Sequence, residues 1–468
     1  MSYTPSRRLS LILSCLLAAS PAWAQRPTLP ADSPFAGGVP YGSATAEPLS
    51  LSVADVIERA LQHNLGLLLA DTDVQSARGA RLDALSELLP NVSGSVTGSR
   101  RKSNLEAFGF PLRGEFPRIV GPFNVFDARV FLSQSLVDLQ AINDVRAAGH
   151  TAAAARHTYR SARDIVVLVA ANLYLQALAT DARAQSARAA LETARTLHQQ
   201  AVDLRQAGIV AGLDVVRAEV QMSTERQRAT AAENTFQKAK LQLARVIGLP
   251  VGQAFTLRDD VPYVPAPELT VEEALQRAYR ERPDYLAALE RVQAAESARK
   301  AAASELLPSA KVTADYGAIG LTPGTSLPTF NLTGSIDVPI FEGGRHQGRI
   351  AQATAEANRR RAEAEDMRAE VYYDVRSAFL DLASTEEELQ AATRSRELAA
   401  QQLEQSRDRF AAGVSSNVEV VQAQEAVALA SEQYISALYG FNVSKAMLAR
   451  SLGTAEDAVR RFLGGLNP

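Results

Sequence analysis

The chain has 468 residues, 46% of them apolar but only 6% aromatic, so it can bury a core that must be packed largely with alanine and leucine. A formal charge of -3 excludes a nucleic-acid binder that lives on phosphate neutralisation. Cys15 is the only cysteine and the five histidines are scattered, which excludes a disulfide framework, a zinc ribbon and a thiol nucleophile from a mature chain that lacks the N-terminus.

Loss of that N-terminus is the first expectation. Arg7 and Arg8 precede an apolar run from Leu9 to Ala19, and Ala22-Trp23-Ala24 supplies the small residues of a cleavage site. Residues 1–24 therefore read as a signal peptide, Gln25 as the mature start and 25–50 as an N-terminal extension. The alternative is a lipoprotein acylated at Cys15, at the cost of a short hydrophobic region. Downstream, no apolar stretch is expected to reach the ~18 residues of a membrane helix, the best being Ile165 to Ala171. A membrane-crossing form of this chain would have to be a barrel.

The mature chain is duplicated. Leu51-Ser-Val-Ala-Asp55-Val-Ile-Glu-Arg59-Ala60 matches Leu269-Thr-Val-Glu-Glu273-Ala-Leu-Gln-Arg277-Ala278, and Ser86-Glu87-Leu88-Leu89-Pro90 recurs as Ser304-Glu305-Leu306-Leu307-Pro308, both at a shift of 218. Gly208 to Ala218 then pairs with Gly413 to Ala423, and Leu243-Ala244-Arg245 with Leu448-Ala449-Arg450, at a shift of 205. Two constant shifts separated by one gap mean two copies of one unit: 51–260, a linker at 261–268 carrying Pro262, Pro265 and Pro267, then 269–454 and a C-terminal tail at 455–468.

Each copy reads in the same order. A helix, 52–89 or 270–307, stops at Leu-Leu-Pro. Two period-two strands follow, about 91–103 and 123–136 in the first copy and about 309–317 and 329–340 in the second. Ser93, Ser95 and Thr97 alternate with Val92, Gly94 and Val96; Asn331, Thr333 and Ser335 alternate with Phe330, Leu332 and Ile336. Strands of about ten residues with one polar face suit an outer-membrane barrel or a small soluble sheet, and four of them cannot enclose a lumen alone. Next come stretches without proline, 140–207 and 344–412, each long enough for a helix of about 100 Å. A turn and a last helix close the unit, giving a mainly α chain with a duplicated helix-strand-strand-long helix-turn-helix plan.

Signal peptide, duplication, strand pairs and the turn Gly-(Ile/Val)-x-x-x-(Leu/Val)-(Asp/Glu)-Val-Val-x-Ala together resemble the TolC-type outer membrane efflux proteins. The resemblance implies a homotrimer whose protomers each give four strands to one 12-stranded outer-membrane β-barrel, continued by a long periplasmic α-helical barrel. It further implies an outer-membrane location with most of the chain in the periplasm, contact with outer-membrane lipids, and docking to a periplasmic adaptor and an inner-membrane pump. The function implied is that of a passive exit duct for efflux or type I secretion. A periplasmic or secreted coiled-coil scaffold is the alternative that the residues leave open.

The candidate site is the pair of helix turns. Gly208 and Gly413 stand where a left-handed residue stops a helix, with Ile209 and Val414 after them. Gly212, Ser416 and Asn417 complete the turns, which the resemblance makes the closed tip and the adaptor-docking surface. Asp214 and Glu419 fall in the first turns of the restarting helices. By resemblance, Glu419 matches an acid of a ring narrowing the periplasmic entrance, Gln422 stands where some members have a second, and Asp214 matches an acid of the closing contacts. Ser416-Asn417-Val418-Glu419 is also a Ser-x-x-Glu capping box, which explains Glu419 without a gate.

Other residues read as structural. His150 and His157 lack a third metal ligand nearby, Arg359 to Asp366 reads as a solvated helix with local ion pairs, and Tyr174 and Phe379 as packing residues at matching positions. With neither a phosphate-cradling glycine loop nor a serine nucleophile elbow in sight, no cofactor and no enzymatic activity are expected.

Overall fold

A computed structural model describes residues 33–105, 107, 118–208, 210–259, 263–265, 269–412, 414, 417–456 and 458–459. The expected signal peptide, Pro262 and Pro267 of the linker and most of the C-terminal tail lie outside the described residues. A short strand β1 (Leu49–Leu51) leads into α1 (Val53–His63). The Leu51 to Ala60 motif and its copy begin their helices alike. Ser52 and Asp55 form a capping box at α1, and Thr270 and Glu273 form another at the equivalent helix, satisfying N–H groups that a helix start leaves free.

The first helix of each copy is broken, which corrects the expectation of one helix over 52–89 and one over 270–307. α1 gives way to α2 (Leu65–Ser86) at Asn64, whose ψ is 129°. Fully buried Asn64 accepts from Gly66 N–H at 2.9 Å and donates to the Phe35 carbonyl at 2.9 Å, while the Phe35 ring fills the space where a Cβ on Gly66 would sit. In the second copy Arg282, the residue equivalent to Asn64, has ψ 114° because Pro283 follows it and disfavours the α region.

The sheet comprises β2 (Asn91–Asn104), β3 (Ile119–Val137), β5 (Ser309–Gly320) and β6 (Leu327–Asp337) in the antiparallel order β2-β3-β5-β6, so β2 and β6 are open edges. β4 (Phe255–Leu257) pairs in parallel with β1 outside it. Pairing runs further than the alternation alone suggested: β3 starts at Ile119 beyond an irregularity opposite Arg101 and Ser103, and β5 continues to Gly320. β6 stops at Asp337, two residues short of Pro339, which has no N–H to give a ladder.

Among the described residues, six further helices complete the body. α3 (Leu139–Gln206, 68 residues) and α7 (Arg345–Ala411, 67 residues) are each about 100 Å long at about 1.5 Å per residue. α4 (Gly212–Val246) and α8 (Asn417–Ser451) return beside them. After α4 and β4 the linker leads to α5 (Val271–Glu281), the second copy's first helix; α6 (Pro283–Ser304) then meets α3 through His150–Glu290 at 2.7 Å and Asn143–Ser304 at 3.2 Å. His150 is thereby an inter-helix contact, and among the described residues no cluster suits a metal.

One core gathers Val56, Ile57, Val166, Val167, Tyr174, Leu243 and Phe255; the other gathers Val371, Val375, Phe441 and Leu448. Tyr174 shares its hydroxyl between the Leu51 carbonyl at 3.1 Å and Asp259 at 2.9 Å, and burial raises its pKa. α3 does contain a window long and apolar enough to cross a membrane, contrary to the sequence expectation. Over half of that window is buried inside the protein, because the uncharged run around Ile165 to Ala171 supplies the first core.

Candidate functional site

Two turns close the far end of the helical rods. At the first, Gly208 adopts φ +74° and donates its N–H to the Arg205 carbonyl at 3.0 Å, the pattern of a left-handed helix stop. α4 restarts at Gly212 behind an extended Ala211 that offers no side-chain cap. A Cβ on Gly212 would stand 3.3 Å from the Arg205 guanidinium, which lies across the restart. Asp214 sits in the first turn of α4 with its carboxylate 3.5 Å from Arg217, one turn on.

The charge contacts differ at the second turn. Val414 donates its N–H to the Arg409 carbonyl at 3.0 Å across the end of α7, and its side chain is exposed. Glu419 lies in the first turn of α8, 3.4 Å from the Arg409 guanidinium at the end of α7. Gln422 is exposed one turn further along α8. Ile209, Gly413 and Ser416 lie outside the described residues, and with Ser416 the capping box to Glu419. Asn417 is the first residue of α8. Among the described residues neither acid bonds to the opposite turn: Asp214 is tied within its own helix and Glu419 to the helix before it. Arg409 was missed by sequence reasoning, although a basic residue in the last turn of a long helix is a signal in itself.

At the other end of the rods the sheet sorts its side chains by face. Across the strands Ser95, Arg129 and Gly317 share one register, as do Ser133, Thr313 and Thr333. The neighbouring registers bring Gly94, Val130, Tyr316 and Phe330 together, and Leu132, Ala314 and Leu332. Arg129 donates to Asp127 at 3.0 Å, to Asp315, and to Thr329 two strands away at 3.3 Å. It reaches Thr329 over Gly317, where a Cβ would fall 2.4 Å from the Ala128 carbonyl oxygen. Asp127, Arg129 and Asp315 thus form one bonded cluster on the polar face.

The opposite face is apolar and bare: Val96 is 74% exposed, Phe330 78% and Ile336 73%. A polar face and an uncovered apolar face on open-edged strands of 11 to 19 residues are the dyad pattern of an outer-membrane barrel segment. A family model described as outer membrane efflux protein matches residues 56–249 and 274–454. The chain belongs to the outer membrane efflux protein family.

Members of this family are channel proteins of the outer membrane, not enzymes. The pyoverdine export outer membrane protein OpmQ of Pseudomonas putida is 25% identical over 429 residues, covering 88% of this chain and 85% of OpmQ. The probable outer membrane lipoprotein SilC of Salmonella typhimurium is 22% identical over 425 residues, covering 86% and 85%. Among solved structures, the Campylobacter jejuni CmeC outer membrane channel superposes with a TM-score of 0.75 at 18% identity over 92% of this chain and 94% of CmeC. VceC of Vibrio cholerae gives 0.72 at 17% identity over 86% and 96%. At these identities the structural matches establish the shared TolC-type fold.

Proposed function

We propose that the chain is the outer-membrane exit duct of a tripartite efflux or type I secretion system. Three copies would join their sheets at the β2 and β6 edges into a 12-stranded barrel, and their helices would continue it through the periplasm. The observation that carries this reading is the sheet itself. Four strands with open edges, a polar face and a bare apolar face are unfinished in water, and edge pairing with further copies in lipid satisfies both the ladder and the apolar surface.

Passage would be passive, with the driving force supplied by an inner-membrane pump and delivered through a periplasmic adaptor docked at the turns. Gly208, Gly212, Val414 and Asn417, with Ile209, Gly413 and Ser416, would form that tip. Asp214 and Glu419, with Gln422 beside them, would repeat around a threefold axis and narrow the entrance. Fractionation, heat-modifiable migration and mass measurement in mild detergent test the reading: an outer-membrane trimer is expected. A stable soluble monomer would return the chain to the coiled-coil scaffold.

A further inference from the structure

We propose that Arg100 and Lys102 form a binding site for phosphate-bearing lipid headgroups at the outer rim of the sheet. This rests on the membrane reading of the apolar face. β2 leaves the helical body at Asn91, and its lower part presents Val92, Gly94, Val96 and Gly98 on that face. Arg100 and Lys102 continue the same alternation, so the face changes from apolar to cationic within one strand. The extra residue of the local irregularity belongs to β3, where Phe123 to Val120 spans the two steps from Arg101 to Ser103, and β2 keeps its alternation through Lys102.

Height agrees with a headgroup position. From Asn91, Arg100 and Lys102 lie about 30 and 36 Å along the strand at about 3.3 Å per residue. For a strand tilt near 40° this is about 23 to 28 Å along the membrane normal, at the top of an apolar band about 25 Å tall. The distal end of the sheet is the end away from the periplasmic rods, so these cations would meet the outer leaflet.

Charge points the same way. Arg129, on the polar face, is neutralised by Asp127 and Asp315. Arg100 and Lys102 are exposed, and the described residues give them no ion pair. An arginine and a lysine spaced two residues apart at a lipid boundary suit a phosphorylated glycolipid, one binding as a planar fork and the other as a point charge. Arg101 points to the polar face between them and serves as an internal control.

The experiment is native mass spectrometry of the full-length chain, purified as a detergent-solubilised trimer and titrated with diphosphorylated lipid A, its dephosphorylated form, or inorganic phosphate. A cation near an anionic membrane surface strengthens binding about fivefold. The double variant R100Q/K102Q is therefore expected to bind diphosphorylated lipid A roughly 25-fold more weakly. Arg101→Gln and the charge-conserving R100K/K102R should bind as the unaltered protein does, and inorganic phosphate should not compete. Each single glutamine variant, with an expected loss of about fivefold, carries the test if the double variant does not assemble. Equal binding of the two lipids, or a loss in Arg101→Gln as large as in R100Q/K102Q, overturns the proposal; displacement by inorganic phosphate makes the site one for the free ion. Recovery only as a soluble monomer would instead overturn the membrane reading beneath it.

Discussion

The sheet and the helical body handle apolar surface in opposite ways. In the body Val56, Ile57 and Val166 are fully buried and Tyr174 is 1% exposed, so an apolar core closes within one chain. In the sheet Phe330, Leu332 and Ile336 stand bare on β6, which pairs with β5 and leaves its other edge open. The body thus has an apolar core of its own, while the sheet has a bare apolar face and two open edges. On the membrane reading proposed above, lipid and neighbouring edges would complete the sheet.

The sharpest way to break the contrast is to remove core from the body. Tyr174→Ala deletes a buried ring together with a hydroxyl that meets Leu51 and Asp259, and should cost about 3–5 kcal/mol in chemical denaturation. On the sheet, the face decides the effect. Val96→Arg, midway up the apolar part of β2, should cost about 2–4 kcal/mol in a vesicle-folding assay if that face meets lipid near the midplane, and Ser95→Arg on the polar face much less. Equal tolerance of the two would invert or abolish the face assignment.

Asp164 tests the body's interior by pH. Burial pushes its carboxyl up to about 6, Arg450 opposes the shift, and Glu456 and Asp284 add to it. A carboxyl whose folded pKa is raised stabilises the fold while protonated, and that contribution fades as pH rises from about 4 through about 6. Asp164→Asn should therefore raise thermal stability at pH 8, by at most about 3 kcal/mol, and change little at pH 4. The same gain at both pH values would show that desolvation of the carboxylate is not its origin.

The smallest stability effect is expected at the turns. The Arg409–Glu419 pair is half exposed, so Arg409→Ala should cost under about 1 kcal/mol. Glu419→Gln removes the charge and keeps most of the hydrogen-bonding shape. An entrance ring predicts weaker cation selectivity and weaker block by divalent cations in planar-bilayer recordings, with trimers intact. Unchanged conductance properties would leave Glu419 as the partner of Arg409 and a helix-start acid.

By itself the sequence determined what short-range periodicity and backbone chemistry dictate. Alternation assigned strand faces, proline-free stretches gave the rods, and Gly208 marked a left-handed stop because a residue without Cβ takes φ +74° freely. The break at Arg282 had a local signal in Pro283 that the expected single helix over 270–307 passed over, whereas the matching break at Asn64 depends on Phe35 being folded against Gly66. Tertiary structure alone decided the pairings. Arg129 meets Asp315 across 186 residues, Arg409 reaches Glu419 over a turn, and Asp164 titrates high because other helices bury it. Such contacts depend on register and docking between distant segments, and no local window of the chain carries that information.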